Sequence, residues 1–516
     1  MSERPLEPFC GTVVEKGDQM TKAFQIEEAT ISDVHAAYQS RTLTAKELVA
    51  AYLERIEKID KSGPTLNSII SVNPKALDAA TSLDTEYARS GKLAGPLHGI
   101  PVVVKDQVET KDVMTTFGSI AEDGYIPQDD AFAIKKLKSA GAVILAKTAM
   151  PDFATSWFAF CSKSGETKNP YVLARDPGGS SGGTAAAVSA NLGLVGIGED
   201  TGGSIRLPSS FTNLVGVRVT PGLISRNGMS PLVVFQDTAG PMARTVKDAA
   251  ILLDSLIGYD PTDEYTVAAL IADQKRSYVD SMDPDSLKGA RLGVVRNVFG
   301  SNDNPEAAAV NRVVEEALAA ARSAGATLVD IEIPNVIDHI VETSLYLTHS
   351  RYDINRFLAA RSNMPTRSLE EIKKGGKFDP TLDLLIDIFN GPEKPEDDPD
   401  YYRKLAARDR FQRLVLGIVG KNKLDAIVFP SVQVLPPTKD DVRAGKHKCL
   451  EFPTNTLIAS QTWMPSICVP AGFSDKGIPV GLEIVVLPYH ETDLFRFGAG
   501  FEATTRARRA PAFKPN

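Results

Sequence analysis

The spacing of apolar positions changes several times along the chain. Over residues 30–60 it predicts two helices. Thr44-x-x-Glu47 reads as a capping box, and Leu48, Tyr52, Ile56 and Ile59 after it share one helical face. PVVV at 101–104 is an unbroken apolar run that reads as a short buried strand ending at Lys105-Asp106. DAFAIKKLKSAG at 130–141 is an amphipathic helix with a glycine stop, and AVILAK at 142–147 follows as a strand. TAAAVSANLG at 184–193 is a small-residue helix leading into a strand, LVGIG, at 194–198. RLGVVRN, a helix over 305–324 and ATLVDIEI repeat the strand–helix–strand order around 291–333. Residues 340–420 read as mostly helical, with NGPEKPEDDPD at 390–400 as a mobile surface loop or lid hinge. DAIVFPS at 425–431 and SICVPAGF at 466–473 return to strand.

Strands alternating with helices predict an α/β fold. Length alone, 516 residues, would allow about three domains. No internal repeat and no clear linker divides the chain, so a single domain over 1–516 is expected. Its parts would be N-terminal helices (1–90), a central core (95–255), a helical cap (335–425) and a C-terminal part of the core (425–505).

Composition narrows the function classes. Hydrophobic residues make up 43% and charged residues 24%, ordinary values for a globular protein. The net charge of −8, with no basic stripe, argues against a nucleic-acid partner. RARR at 506–509 reads as a solvated end. The first residues hold no apolar secretory core, and no run of about 18 apolar residues predicts a membrane span, so a cytoplasmic location is expected. Cys10, Cys161, Cys449 and Cys468 have neither zinc-site nor disulfide-framework spacing and read as buried thiols.

The chemistry is concentrated in DPGGSSGGTAAAVSANLGLVGIGEDTGGSIRLPSSF at 176–211, where Ser180 and Ser204 each sit among glycines. Three readings compete. A phosphate loop would need lysine after the second glycine pair, where Thr184 stands. An esterase elbow fits Gly178-x-Ser180-x-Gly182, with His339, His349, His447 and His490 available downstream, but the preceding YVLARDP is a poor strand. The third reading uses both serines. A serine hydroxyl needs a base, and Lys105 could serve if burial keeps it neutral. The glycines before Ser204 would let backbone N–H groups converge on an oxyanion.

GGSSGG, then DTGGSIRLPSSF, resembles the amidase signature family of serine hydrolases. GPLHGIPVVVKD (95–106), TTFGS (115–119), AGAVILAKTAMPDFA (140–154), QDTAGPMARTVKDAA (236–250) and VPAGFSDKGIPVGLEIV (469–485) are also similar to family segments. The resemblance spans about residues 30 to 505. It implies a large mixed central β-sheet covered by helices on both faces, and a Ser–cisSer–Lys triad. Ser204 would be the nucleophile, Ser180 the bridging serine after a cis bond, and Lys105 the base. The N–H groups of Thr201, Gly202, Gly203 and Ser204 would form the oxyanion hole, and Met150 and Ala154 would lie in the substrate-binding loop. The resemblance implies amide hydrolysis with side activity on esters or carbamates, no metal or other cofactor, a small-molecule amide substrate, and a monomer or homodimer. The glutaminase subunit of an amidotransferase is the alternative within the family.

Other residues have plainer readings. Asp200 and Arg206 read as an ion pair holding the loop, and Ser181, Ser209 and Ser210 as scaffold. Trp157, Phe158 and Phe160 fit an apolar acyl pocket or core equally. Three departures stand out: GED at 198–200, where many relatives carry a small polar residue before the aspartate, SQTW at 460–463, and Glu483. All three are expected to touch the scaffold or pocket wall rather than the triad.

Overall fold

A computed structural model describes residues 24–272 and 277–514. Its strands are β1 (Ile69–Val72), β2 (Pro101–Lys105), β3 (Val143–Thr148), β4 (Phe160–Cys161), β5 (Gly165–Glu166), β6 (Val195–Asp200) and β7 (Val215–Arg218), followed by β8 (Thr238–Ala243), β9 (Arg291–Val295), β10 (Thr327–Ile331), β11 (Ala426–Pro430), β12 (Ser466–Phe473) and β13 (Pro479–Val485). β4 and β5 form a small hairpin. The rest make one eleven-stranded sheet in the order β1-β3-β2-β6-β8-β7-β12-β13-β11-β9-β10.

The sheet is mixed, as the α/β reading expects. β3, β2 and β6 run parallel, and β8, β7, β12 and β13 continue antiparallel. Every residue of β2, β3 and β6 is buried, which explains their continuous apolar runs. Because β2 and β6 are parallel, their C-terminal residues Lys105 and Asp200 emerge at one edge of the sheet. Open α/β sheets build their sites at that edge.

The helices meet most expectations. Thr44 Oγ1 accepts from Glu47 N–H while the Glu47 carboxylate accepts from Thr44 N–H, closing the capping box of Ala45–Arg55. Leu48, Tyr52 and Ile56 are buried beneath it, although Ile56–Lys61 continues as a π-helix. The helix Phe132–Ser139 joins β2 to β3. The helix before β6, Gly182–Ser189, starts two residues earlier than its apolar pattern.

Between β10 and β11 the chain is helical, with Val336–Glu342, Tyr346–Ala359, Leu369–Gly375, Asp383–Ile388 and Tyr401–Asn422 as its α-helices. Residues 390–400, expected as a mobile loop, are tied down. Pro395–Asp397 is a 3-10 turn, and the Asp398 carboxylate accepts from Thr348 Oγ1 (2.6 Å) and Lys404 Nζ (2.7 Å). This helical layer packs Tyr346, Ile354 and Phe357 into one apolar cluster with Phe117, Phe153, Trp157, Phe158 and Phe160. The cluster lies beside the loops that carry the two serines.

Candidate active site

Lys105 ends β2 with no exposed surface. Its ammonium donates to Ser180 Oγ (2.8 Å), to the Glu199 carbonyl (3.2 Å) and to Glu199 Oε2 (3.1 Å). Ser180 stands just before the helix Gly182–Ser189, and the Gly179–Ser180 peptide bond is cis. The buried Asp176 carboxylate holds this loop by accepting from Gly178 N–H (2.7 Å) and Ala159 N–H (3.1 Å). Ser181 joins the loop to its neighbours: its N–H donates to the Ser204 carbonyl (3.1 Å), and its hydroxyl accepts from Glu199 N–H (3.2 Å). The two serine loops are therefore stitched together, and Ser204 itself is 3% exposed.

Asp200 organises the turn after β6. Its Oδ1 accepts from Gly203 N–H (2.8 Å) and its Oδ2 from Ile205 N–H (3.1 Å), so Ser204 is bracketed by two anchored amides. The Gly203 N–H, expected in the oxyanion hole, points at Asp200 because a buried carboxylate outcompetes other acceptors for it. The N–H groups of Thr201, Gly202 and Ser204 have no acceptor among the described residues. Tyr346 and Thr456 crowd the glycines, and the Thr456 hydroxyl donates to the Gly202 carbonyl (2.8 Å). A Cβ at Gly202 would overlap the Tyr346 hydroxyl, and Gly203 adopts φ +122°, which a larger residue would resist.

The charges around the turn form a closed network. Arg206 donates to Asp200 through Nε and Nη2 (both 3.0 Å), to Ser460 Oγ (2.7 Å) and to Glu483. Arg218 donates to Asp200 Oδ1 (2.9 Å). Burial alone would push the Asp200 carboxyl up, but the two guanidiniums hold it well below the usual range. Burial raises Glu483 against the pull of Arg206. The expected Asp200–Arg206 pair is thus present, and Glu483 and Ser460 extend it as scaffold. Ser210 is scaffold too, its hydroxyl accepting from Gly481 N–H (2.9 Å).

Glu199 is different. It was expected on the scaffold or pocket wall, yet its side chain lies against Lys105 with both groups fully buried. Burial pushes the Lys105 ammonium down from the usual lysine range, and Glu199 opposes that shift. Thr201 Oγ1 links Glu199 Oε1 (2.9 Å) to Asp237 Oδ1 (2.7 Å). Asp237 also accepts from Leu232 N–H (2.8 Å) and Val233 N–H (3.1 Å), and it forms part of the wall of a cavity of about 290 Å³. Neither acid was expected here. The GED sequence was the available signal, but the neighbour that gives it meaning is 94 residues away.

Met150 and Ala154 are buried in the loop after β3, where Phe153 (φ 51°) and Ala154 (φ 63°) both take left-handed backbone. Trp157, Phe158 and Phe160 are 3–5% exposed and belong to the apolar cluster. The backbone of Ser156–Phe158 lies against Gly179, so core packing and proximity to the site coincide. The histidines available to an esterase elbow are engaged elsewhere: His349 with Tyr401, His339 stacked on Phe411, His447 edge-on to Phe452 and His490 near Asp493. Cys161, Cys449 and Cys468 are buried free thiols, with Cys468 pushed by burial to about 12. Cys10 lies outside the described residues. No group of residues that could hold a metal ion occurs among the described residues, and no described helix is long and apolar enough to cross a membrane.

The family model described as Amidase matches residues 47–495. A probable amidase of Arabidopsis thaliana is 32% identical over 96% of this chain and 93% of its own length. A glutamyl-tRNA(Gln) amidotransferase subunit of Desulfatibacillum aliphaticivorans is 31% identical over 93% of this chain and 98% of its own. Among solved structures, the native peptide amidase from Stenotrophomonas maltophilia superposes with a TM-score of 0.82 at 33% identity, covering 94% of this chain and 99% of that one. The corresponding glutamyl-tRNA(Gln) amidotransferase subunit from Thermotoga maritima superposes with a TM-score of 0.73 at 25% identity, covering 95% and 99%.

Proposed function

The chain belongs to the amidase family, whose members hydrolyse C–N amide bonds, and on that premise we propose that it is a free-standing amidase working through a Ser204 acyl-enzyme. The observation that carries this reading is the fully buried Lys105 ammonium, 2.8 Å from Ser180 Oγ, with the Ser180 and Ser204 loops joined by a hydrogen bond. A surface lysine at a strand end would be charged and idle. One stripped of water is lowered toward the neutral form that can accept a proton.

In the proposed reaction Ser204 Oγ attacks the amide carbonyl carbon. Its proton passes to Ser180 Oγ as the Ser180 proton passes to Lys105 Nζ. The carbonyl oxygen gains the negative charge and is met by the N–H groups of Thr201, Gly202 and Ser204. The tetrahedral centre collapses, the C–N bond breaks, and the relay returns its proton to the departing amine or ammonia. Water then attacks the Ser204 ester by the same route, releasing the carboxylic acid and restoring the serine. Esters are cleaved as a side activity because an alkoxide leaves more readily than an amine; carbamates offer the same carbonyl.

Similarity to a peptide amidase supports peptide-like amides as the substrate class. The glutaminase-subunit reading rests on relatives of nearly equal identity, but the superposition on the Thermotoga maritima protein is looser. Ammonia release from a panel of primary amides, C-terminal peptide amides and glutamine tests both. Release from peptide amides by the chain alone, lost in Ser204→Ala, is expected. Glutamine hydrolysis only with added partner subunits would overturn the free-standing reading.

A further inference from the structure

Glu199 is the residue at this site that the proposed reaction does not use. Its carboxylate lies 3.1 Å from the Lys105 ammonium, and neither side chain has any exposed surface. On the far side, Thr201 Oγ1 lies 2.9 Å from Glu199 Oε1 and 2.7 Å from Asp237 Oδ1. A hydroxyl has one hydrogen, so it cannot donate to both acids at once. If both were ionised, one close oxygen pair would hold no hydrogen between them.

The proton count resolves this. Burial, reinforced by nearby Glu199, raises Asp237 well above the usual carboxylate range. With the proton on Asp237, that acid can donate to Thr201 and Thr201 to Glu199 Oε1, while Glu199 Oε2 accepts from Lys105. The other charges nearby are committed. Asp200 is held between Arg206 and Arg218. Asp106, next to Lys105 in sequence, pairs with Lys147 at 3.4 Å. Tyr346 is buried, its phenol raised well above its usual range.

We propose that Glu199 is a positioning residue of the relay, which fixes the Lys105 amine toward Ser180 and strengthens its hold on a proton, so that it sets the pH above which Lys105 can act as a base. The inference rests on the reading of Lys105 as that base. A carboxylate beside the amine makes it a better proton acceptor once neutral, while requiring a higher pH to become neutral.

The test is the rate at which a fluorophosphonate labels Ser204, followed against pH in the unsubstituted protein and in Glu199→Gln. Glutamine keeps the shape and an acceptor oxygen but removes the charge. The inference predicts that the acid limb moves down by about one to three pH units and that the plateau rate falls. A side chain serving only as structural support would leave the limb in place. An unmoved or upward-moved limb therefore overturns the inference while leaving the amidase reading intact. No labelling of Ser204 in the unsubstituted protein at any pH would overturn the reading itself. Glu199→Thr provides a second variant with the same expected direction. Failure of both variants to fold would count against the inference, because Lys105 can shed its proton and leave no unpaired charge.

Discussion

Asp200→Asn tests whether the charge network or the glycine sequence holds the Ser204 turn. Asp200 accepts from five donors: Gly203 N–H, Ile205 N–H, Arg206 Nε and Nη2, and Arg218 Nη1, all at 2.8–3.1 Å. Oδ1 receives three of these and Oδ2 two. An asparagine keeps one acceptor oxygen, so two or three donors lose their partner and face an NH₂ group. The substitution also leaves the buried Arg206 guanidinium with Glu483 alone and takes from Arg218 its paired carboxylate. Removing one partner of a buried ion pair costs about 3–5 kcal/mol, a large share of the roughly 5–15 kcal/mol that holds a typical protein folded. A markedly lower urea midpoint is expected, with fluorophosphonate labelling of Ser204 lost where the variant remains folded. The pH dependence supplies a second signature. Asp200 is depressed from its ordinary value of 3.8, so its stabilisation is present above that pH and is lost as pH falls through the folded value. In Asp200→Asn that acid-dependent loss is absent. A stability change below about 1 kcal/mol, the scale of an exposed ion pair, with labelling intact, would refute the account of the turn.

Two further predictions follow from single contacts. Gly202→Ala forces a methyl group onto the Tyr346 hydroxyl; kcat should fall by about 10²–10³-fold, the effect of losing an oxyanion donor, and Tyr346→Phe in the same chain should restore part of it in an amide-hydrolysis assay. Burial raises Asp152 from 3.8 to about 7, with Ser162 N–H and Oγ donating to it. Because the folded value is raised, its contribution is fully present below 3.8 and is lost as pH rises through about 7; Asp152→Asn should flatten that decline in melting temperature.

Much of the fold was legible because burial and period agree. The apolar run PVVV became β2, with every residue buried, and Thr44 with Glu47 marked a real helix start. Strand order was not legible. β8 lies between β6 and β7, and β12 and β13 lie between β7 and β11, an arrangement that no local pattern encodes. The same limit hid part of the site. Lys105 and Ser180, 75 residues apart, were paired through family resemblance, whereas nothing local joined Lys105 to Glu199. Their contact follows from β2 and β6 being parallel neighbours, with Val104 opposite Ile197. The Gly203 amide, which the resemblance puts in the oxyanion hole, faces Asp200 for a related reason. Glycine spacing shows where N–H groups can converge, but the carboxylate that captures one of them acts through geometry.

The most direct test of the central claim is fluorophosphonate labelling followed by peptide mass mapping, in the unsubstituted protein, Lys105→Ala and Ser180→Ala. The account predicts a single adduct on Ser204, lost or strongly slowed in both variants while each remains folded. An adduct on Ser180 that survives Lys105→Ala and depends on a histidine would contradict it.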